Sequence, residues 1–318
     1  HLLDNVYSVC GKFSNNVDLI PTPSSPSILG LWGLVVDEIE AVGRPWRQEW
    51  GVEGYHRYIL QYFAIIKDMK RRSLGKNMDQ KLSDDDDDDD DGSDIIYTNN
   101  PSRRNQAFWC LPIGGCYVNG PPKRGKARAD DVVPVFKEFI DHCNFCFEKD
   151  EELEQRRQQQ QSENDTNKNK DNDNKPSPPP PPGGLDQETI DFMSDRWEDL
   201  RAKGSYLHNM MHMDRKRPFL TAQKGYLGMA PGHAQPGDVV VLLCGDSIPY
   251  VLRPVGDAVG AGAGDGDGKR NGGGDRDGNS DGNLYFTFVG EAYCDGIMDG
   301  ELEGRLEREG ERQDIFLV

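Results

Sequence analysis

The residues with types suited to chemistry are few, and their spacing does not assemble them into one site. Ser247 ends the run Val240–Ile248 (VVLLCGDSI) at a Gly-Asp-Ser turn after a continuous apolar strand. A serine there becomes a nucleophile only with a base within hydrogen-bond reach. The last histidine, His233, comes before it, and 71 residues follow with none. His142-Cys143-x-x-Cys146 is a single C-x-x-C, which with Cys110 and Cys116 has the donor types of a zinc site. However, Val132, Val135, Phe136, Phe139, Ile140, Cys143, Cys146 and Phe147 share one helical stripe. The two thiols are therefore expected in the core as small hydrophobes. His208 and His212 stand at i, i+4 without the glutamate of a metalloprotease helix.

Two further spacings resemble ligand loops and depart from them. Gly120-PPKR-Gly125-Lys126 has the first seven positions of a phosphate loop. Ala127 stands where Ser or Thr would hold magnesium, and Pro121 and Pro122 remove backbone donors. Asp277-Gly-Asn279-Ser-Asp281-Gly282 starts like a calcium loop, but its twelfth position is Phe288 rather than Glu. No catalytic residue, cofactor or metal ligand is assigned, and the chain is expected not to be an enzyme.

Composition narrows the function classes further. The formal charge is −18 over 318 residues, with eight consecutive aspartates at Asp84–Asp91. Nucleic-acid affinity comes from Lys and Arg neutralising phosphates, so this balance argues against a nucleic-acid partner. The basic stretches Lys67–Arg72, Lys123–Arg128 and Arg215–Arg217 are short and lack interleaved aromatics. Seven scattered cysteines do not make a secreted disulfide framework. They point to reduced thiols and a cytoplasmic location. The longest aliphatic run, Val239–Leu243, is too short to span a bilayer, and no signal peptide is evident. The chain starts at His1 rather than Met and is read as part of a longer protein.

The elements that would position these residues fall between three stretches read as disordered inserts: 70–106, 151–184 and 256–283. Leu29–Val36 reads as a buried strand. Tyr55, Tyr58, Ile59, Tyr62, Phe63 and Ile66 recur at helical spacing, predicting a helix to about Met69. A second helix is predicted over Asp131–Phe147, with Asp131 as cap and Pro134 in the first turn. A third is predicted over Asp186–Lys203. From Arg217 the pattern becomes β. Phe219–Thr221 and Tyr226–Met229 flank a turn, Pro236-Gly237 suits a type II turn, and Val239–Cys244 is apolar throughout. Removing 256–283 makes Tyr250–Arg253 and Leu284–Val289 consecutive strands of a hairpin. Growing such a loop to about thirty residues costs only about 2 kcal/mol in closure entropy.

Two family resemblances attach to these residues. The Gly-Asp-Ser turn resembles the nucleophile block of GDSL-type (SGNH) hydrolases, which would make Ser247 the nucleophile. That family places its histidine late, in an Asp-x-x-His block, an order this chain cannot supply. The second resemblance is broader. Arg217-Pro-Phe-Leu-Thr221, Lys224-Gly-Tyr-Leu-Gly228, Gln235-Pro-Gly-Asp-Val-Val-Val-Leu-Leu243, Ile248-Pro-Tyr-Val-Leu-Arg-Pro-Val-Gly256, Phe288-Val-Gly-Glu-Ala-Tyr293 and Gly296-Ile-Met-Asp-Gly-Glu301 occur in that order. This block is similar to the C-terminal region of fungal heterokaryon incompatibility (HET domain) proteins. The HET domain's own W-G and W-I-D-x-x-C-I-x-Q type motifs are absent from this chain.

The resemblance implies a structural, protein-interaction or regulatory module in fungal self/non-self recognition and programmed cell death. It carries no catalytic residue to any position here. The expected class is α+β, with a compact antiparallel β-rich, small barrel-like C-terminal module and a few amphipathic helices. Three regions are expected: 1–150 of mixed strand and helix, a 151–184 linker rich in Gln, Asn and Pro, and 185–318 with a helix and the β-rich module. Arg253, Glu291 and Asp299 are the block's charged candidates for contact with a protein partner. The competing classes are the serine hydrolase and a small-barrel nucleic-acid binder, the latter opposed by charge.

Overall fold

A computed structural model describes residues 19–20, 28–47, 55–80, 101–118, 124–168, 205–255, 284–308 and 310–318. The expected helix over Asp186–Lys203, the aspartate run and the 256–283 stretch lie outside these residues. The β framework begins with a short strand β1 (Leu19–Ile20) paired to β2 (Leu29–Val42). It continues with β3 (Cys116–Val118) and β4 (Arg124–Lys126), which form a separate hairpin. The main sheet adds β5 (Lys216–Thr221), β6 (Leu227–Pro231), β7 (Val239–Leu243), β8 (Tyr250–Pro254), β9 (Leu284–Glu291), β10 (Tyr293–Cys294) and β11 (Gln313–Leu317).

β2 organises everything else. Its first half pairs with β11 on one side and β7 on the other; its second half pairs with β5. Bulges between Val35 and Asp37 and between Ile39 and Ala41 let one 14-residue strand turn from one set of partners to the next. Around the first half, β2, β7, β8, β9 and β11 close into a ring. Five strands cannot close with every neighbour antiparallel, because alternating directions need an even number. The parallel pair β9–β11 resolves this, with Ile315 opposite Leu284 and Leu317 opposite Phe286. A parallel pair needs a long crossover, supplied here by β10 and a short helix after it.

Alternation along the strands sorts two cores. Val239, Val241, Leu243, Leu252, Phe286 and Ile315 fill the barrel, joined by Leu31 and Val35. Leu34, Val36, Val240 and Leu242 face the other way, into a larger core shared with helices α1 (Tyr55–Gln80), α2 (Pro101–Cys110), α3 (Ala129–Lys168) and α4 (Tyr206–Met210). α5 (Glu303–Glu307) buries Leu306 in the same core. Phe63 is its hub, within 5.5–6.4 Å of Tyr62, Phe108, Phe136, Phe139 and Tyr206. Offset and edge contacts of this kind are the favoured aromatic geometry. The chain's first region thus supplies the central strand of the β module.

The hairpin predicted across the 256–283 stretch is present, with Arg253 opposite Thr287 and Pro254 opposite Phe286. β7 is buried at every position. Two expectations about helix length are corrected. α1 runs past Met69 to Gln80, so residues 70–80 of the first insert are helical, as are 101–106 in α2. Arg72 and Lys76 both pair with Glu40 on β2, and Ser73 bonds to Gly225 O, which holds this polar turn of helix down. α3 likewise runs past Phe147 to Lys168. Glu, Gln, Arg and Lys are good helix formers even without an apolar face, so the helices extend beyond their apolar stripes.

Candidate functional site

The charged residues of the β-rich block converge on the turn from Pro231 to Asp238, which joins β6 to β7. Pro236 and Gly237 make its corner, and Gly237 has φ +89°, a conformation costly for a residue with a side chain. Asp238 follows, fully buried, and accepts the Gln235 N–H at 2.8 Å. Arg253 of β8 reaches it with both arms of the fork: Nε to Oδ1 at 2.8 Å and NH2 to Oδ2 at 3.0 Å. The same NH2 donates to His233 O at 3.1 Å. These bonds to the carboxylate raise the guanidinium's pKa. From the other side Arg217 donates to Ala234 O at 2.9 Å and Gly232 O at 3.4 Å, with Nε on Gly43 O. Three consecutive carbonyls of the turn are therefore capped by two guanidinium groups.

β9 closes the cluster. His233 donates from Nε2 to Val289 O at 3.1 Å, a carbonyl acceptor that places the ring proton on that nitrogen. Lys216 donates to Glu291 O at 2.6 Å, and its burial lowers the ammonium pKa against the pull of the Glu291 carboxylate. Arg253 holds the turn directly, while Glu291 of β9, opposite Tyr250, is tied through its carbonyl to Lys216 of β5. Asp299 is placed elsewhere, after β10, where its Oδ1 lies 2.5 Å from Lys126 Nζ on β4. Its backbone N–H donates to Glu301.

Two more buried carboxylates, which sequence reasoning missed, repeat the pattern. Asp37 in the first β2 bulge accepts the N–H groups of Glu38, Gln223 and Lys224, pinning the β5–β6 turn. Asp295 after β10 accepts from Tyr293 Oη at 3.1 Å and lies 3.3 Å from Arg103 NH2 on α2. Beside it, burial and the Asp295 charge push the Cys110 thiol up to about 12, leaving it protonated and unreactive. The sequence signal for Asp37 is an acidic run, Asp37, Glu38 and Glu40, in the second half of a strand that begins apolar.

The remaining candidates are dispersed. Ser247 lies on a turn after β7 where Asp246 N–H bonds to Leu243 O, while His233 is engaged with Val289 O. Cys143 and Cys146 are buried on the α3 stripe, as the helical spacing required. His208 and His212 lie with ring centroids 5.7 Å apart. Gly125 and Lys126 sit on a strand, not at a helix N-terminus, which is the wrong frame for a phosphate loop. The calcium-like spacing at 277–282 is outside the described residues. Among the described residues no group of three or more His, Cys, Asp or Glu is arranged to hold a metal ion. None of the described helices is long and apolar enough to cross a membrane.

Comparison with known proteins agrees with this geometry. Residues 184–269 and 276–318 match the Het-6 beta-barrel domain family. Heterokaryon incompatibility protein 6, OR allele, of Neurospora crassa is 31% identical over 319 residues, covering 98% of this chain. The chain spans 36% of that relative's length. No solved structure matches. The β-rich part of the chain that carries the Asp238–Arg253 pair matches the Het-6 beta-barrel domain, and the chain along nearly its whole length is similar to a heterokaryon incompatibility protein.

Proposed function

We propose that this chain is the non-catalytic part of a fungal heterokaryon incompatibility protein, acting in the cytoplasm through contact with a protein partner. The observation that carries this reading is the similarity to heterokaryon incompatibility protein 6 along 98% of the chain. The geometry supports a contact role over catalysis. The cluster's strongest charges, Asp238, Arg253 and Arg217, are committed to backbone and to one another. The groups left facing solvent are His233, Gln235, Pro236 and Gly237 on a turn held rigid from both sides. A rigid exposed turn on a barrel scaffold suits recognition.

Pairing of fungal strains tests the proposal. One strain carries the intact gene and the other lacks the segment encoding residues 205–318, each confronted with an incompatible tester. Loss of the incompatibility reaction in the deleted strain is expected. An undiminished reaction would exclude this region from it.

A further inference from the structure

The seam between α1 and α3 holds two imidazoles that the barrel account does not use. His56, in the first turn of α1, and His142, in the middle of α3, are each only 6% exposed. His142, Cys146 and Asp150 follow at i, i+4 spacing along one stripe of α3. His142 Nε2 lies 3.4 Å from Cys146 Sγ, and His56 Nε2 lies 2.8 Å from Asp150 Oδ2. Arg57 adds contacts to Asp150 at 3.9 Å and to Glu154 at 3.3 Å. Beyond this seam α3 runs on to Lys168, and its described side chains from Glu151 to Ser162 are largely solvent-exposed. The seam is therefore the last buried contact before a long polar extension.

We propose that the His56–His142 pair is a pH-operated latch that holds the α3 extension against α1 near neutrality and releases it on mild acidification. The charged and titratable groups at the seam are Arg57 from α1, and Cys143, Cys146, Asp150 and Glu154 from α3. Cys143 is a buried thiol held well above its usual range by burial and stays neutral. Asp150 offers its carboxylate to His56, with Arg57 competing for it, while His142 contacts the Cys146 thiol. Charging both rings thus leaves an excess of buried positive charge at the seam.

Titration has a definite sign. Burial lowers the pKa of His56, with Asp150 opposing it and Arg57 adding to it. Burial and the neighbouring His56 lower that of His142. The closed seam thus disfavours the charged form of both rings, and a released imidazole takes up its proton near the ordinary value of about 6.5. The opened state binds more protons, so the closed seam loses stability as pH falls below 6.5, by up to about tenfold per pH unit for each histidine that stays neutral.

The test is amide hydrogen exchange of the full chain between pH 7.5 and 5.5, corrected for intrinsic rates. α3 amides around 146–158 are expected to lose protection by about tenfold or more per pH unit below 6.5, while β7 and β8 amides hold theirs. His142→Gln and His56→Gln should each flatten the α3 profile and leave the barrel amides unchanged. Thermal melts across the same range guard against a variant that merely folds poorly. An α3 profile with the same slope in wild type and both variants, or barrel amides that open in step with α3, would overturn the latch.

Discussion

Asp238 and Arg253 stand fifteen residues apart and meet through two hydrogen bonds of 2.8 and 3.0 Å, one partner fully buried and the other at the rim. This pair joins β8 to the turn that enters β7, so it fixes the register of neighbouring strands as well as the shape of the turn. Arg253→Ala would strand the Asp238 carboxylate in the core. The expected loss is about 3 kcal/mol of unfolding free energy by chemical denaturation. Arg253→Lys should recover only part, because an ammonium cannot reproduce the fork. A loss under about 0.5 kcal/mol for alanine, the range of ordinary surface changes, would reduce the pair to a surface contact.

Gly228 of β6 is flanked in the sheet by Cys294 of β10 and Phe219 of β5. A Cβ there would lie 2.4 Å from Tyr293 O and 2.2 Å from the Phe219 ring. Backbone cannot yield as a flexible side chain can, so Gly228→Ala should cost several-fold more stability than Gly237→Ala. At Gly237 nothing lies within 4 Å, and the penalty is only that of the φ of +89°, about 1 kcal/mol. Equal midpoint shifts for the two variants would contradict this close approach.

The β8–β9 ladder is intact on both sides of the 256–283 stretch, down to Pro254 opposite Phe286 and Val255 N–H on Tyr285 O at 2.9 Å. Replacing 256–283 by Asn-Gly should leave the thermal transition in place or raise it slightly through the shorter loop. A collapsed transition would mean the stretch contributes to the fold.

Six of the seven cysteines are described, and all six are buried thiols. Burial raises the thiol pKa of Cys110, Cys143 and Cys294. The native protein is expected to react with a thiol reagent at no more than one position, Cys10, and at seven after unfolding. Rapid native reaction of two or more thiols would show that the cores are open.

Much of this fold was legible because its elements obey simple periods. Period-2 patterning in β9, the uninterrupted apolar β7 and the Pro-Gly corner before Asp238 each stated their structure locally. The stripe through Phe139, Cys143 and Cys146 placed two thiols in the core without any structure. The closing strand was different. β11 pairs in parallel with β9 and antiparallel with β2, a relationship across almost the whole chain that no local pattern encodes. The polar ends of α1 and α3 were missed because low hydrophobicity was weighed above helix propensity. Arg253 was found as a charge, but its partner could not be: a buried carboxylate and an exposed one look alike in sequence.

The central proposal is that the charged residues around this barrel build a contact module rather than a catalytic site. The most direct measurement compares the incompatibility reaction of strains carrying Ser247→Ala and Arg253→Ala in the full-length protein, with protein levels followed in parallel. Ser247→Ala should leave the reaction intact, and Arg253→Ala should weaken it together with the amount of folded protein. Loss of the reaction in Ser247→Ala at unchanged protein level would make Ser247 a working residue and contradict the account.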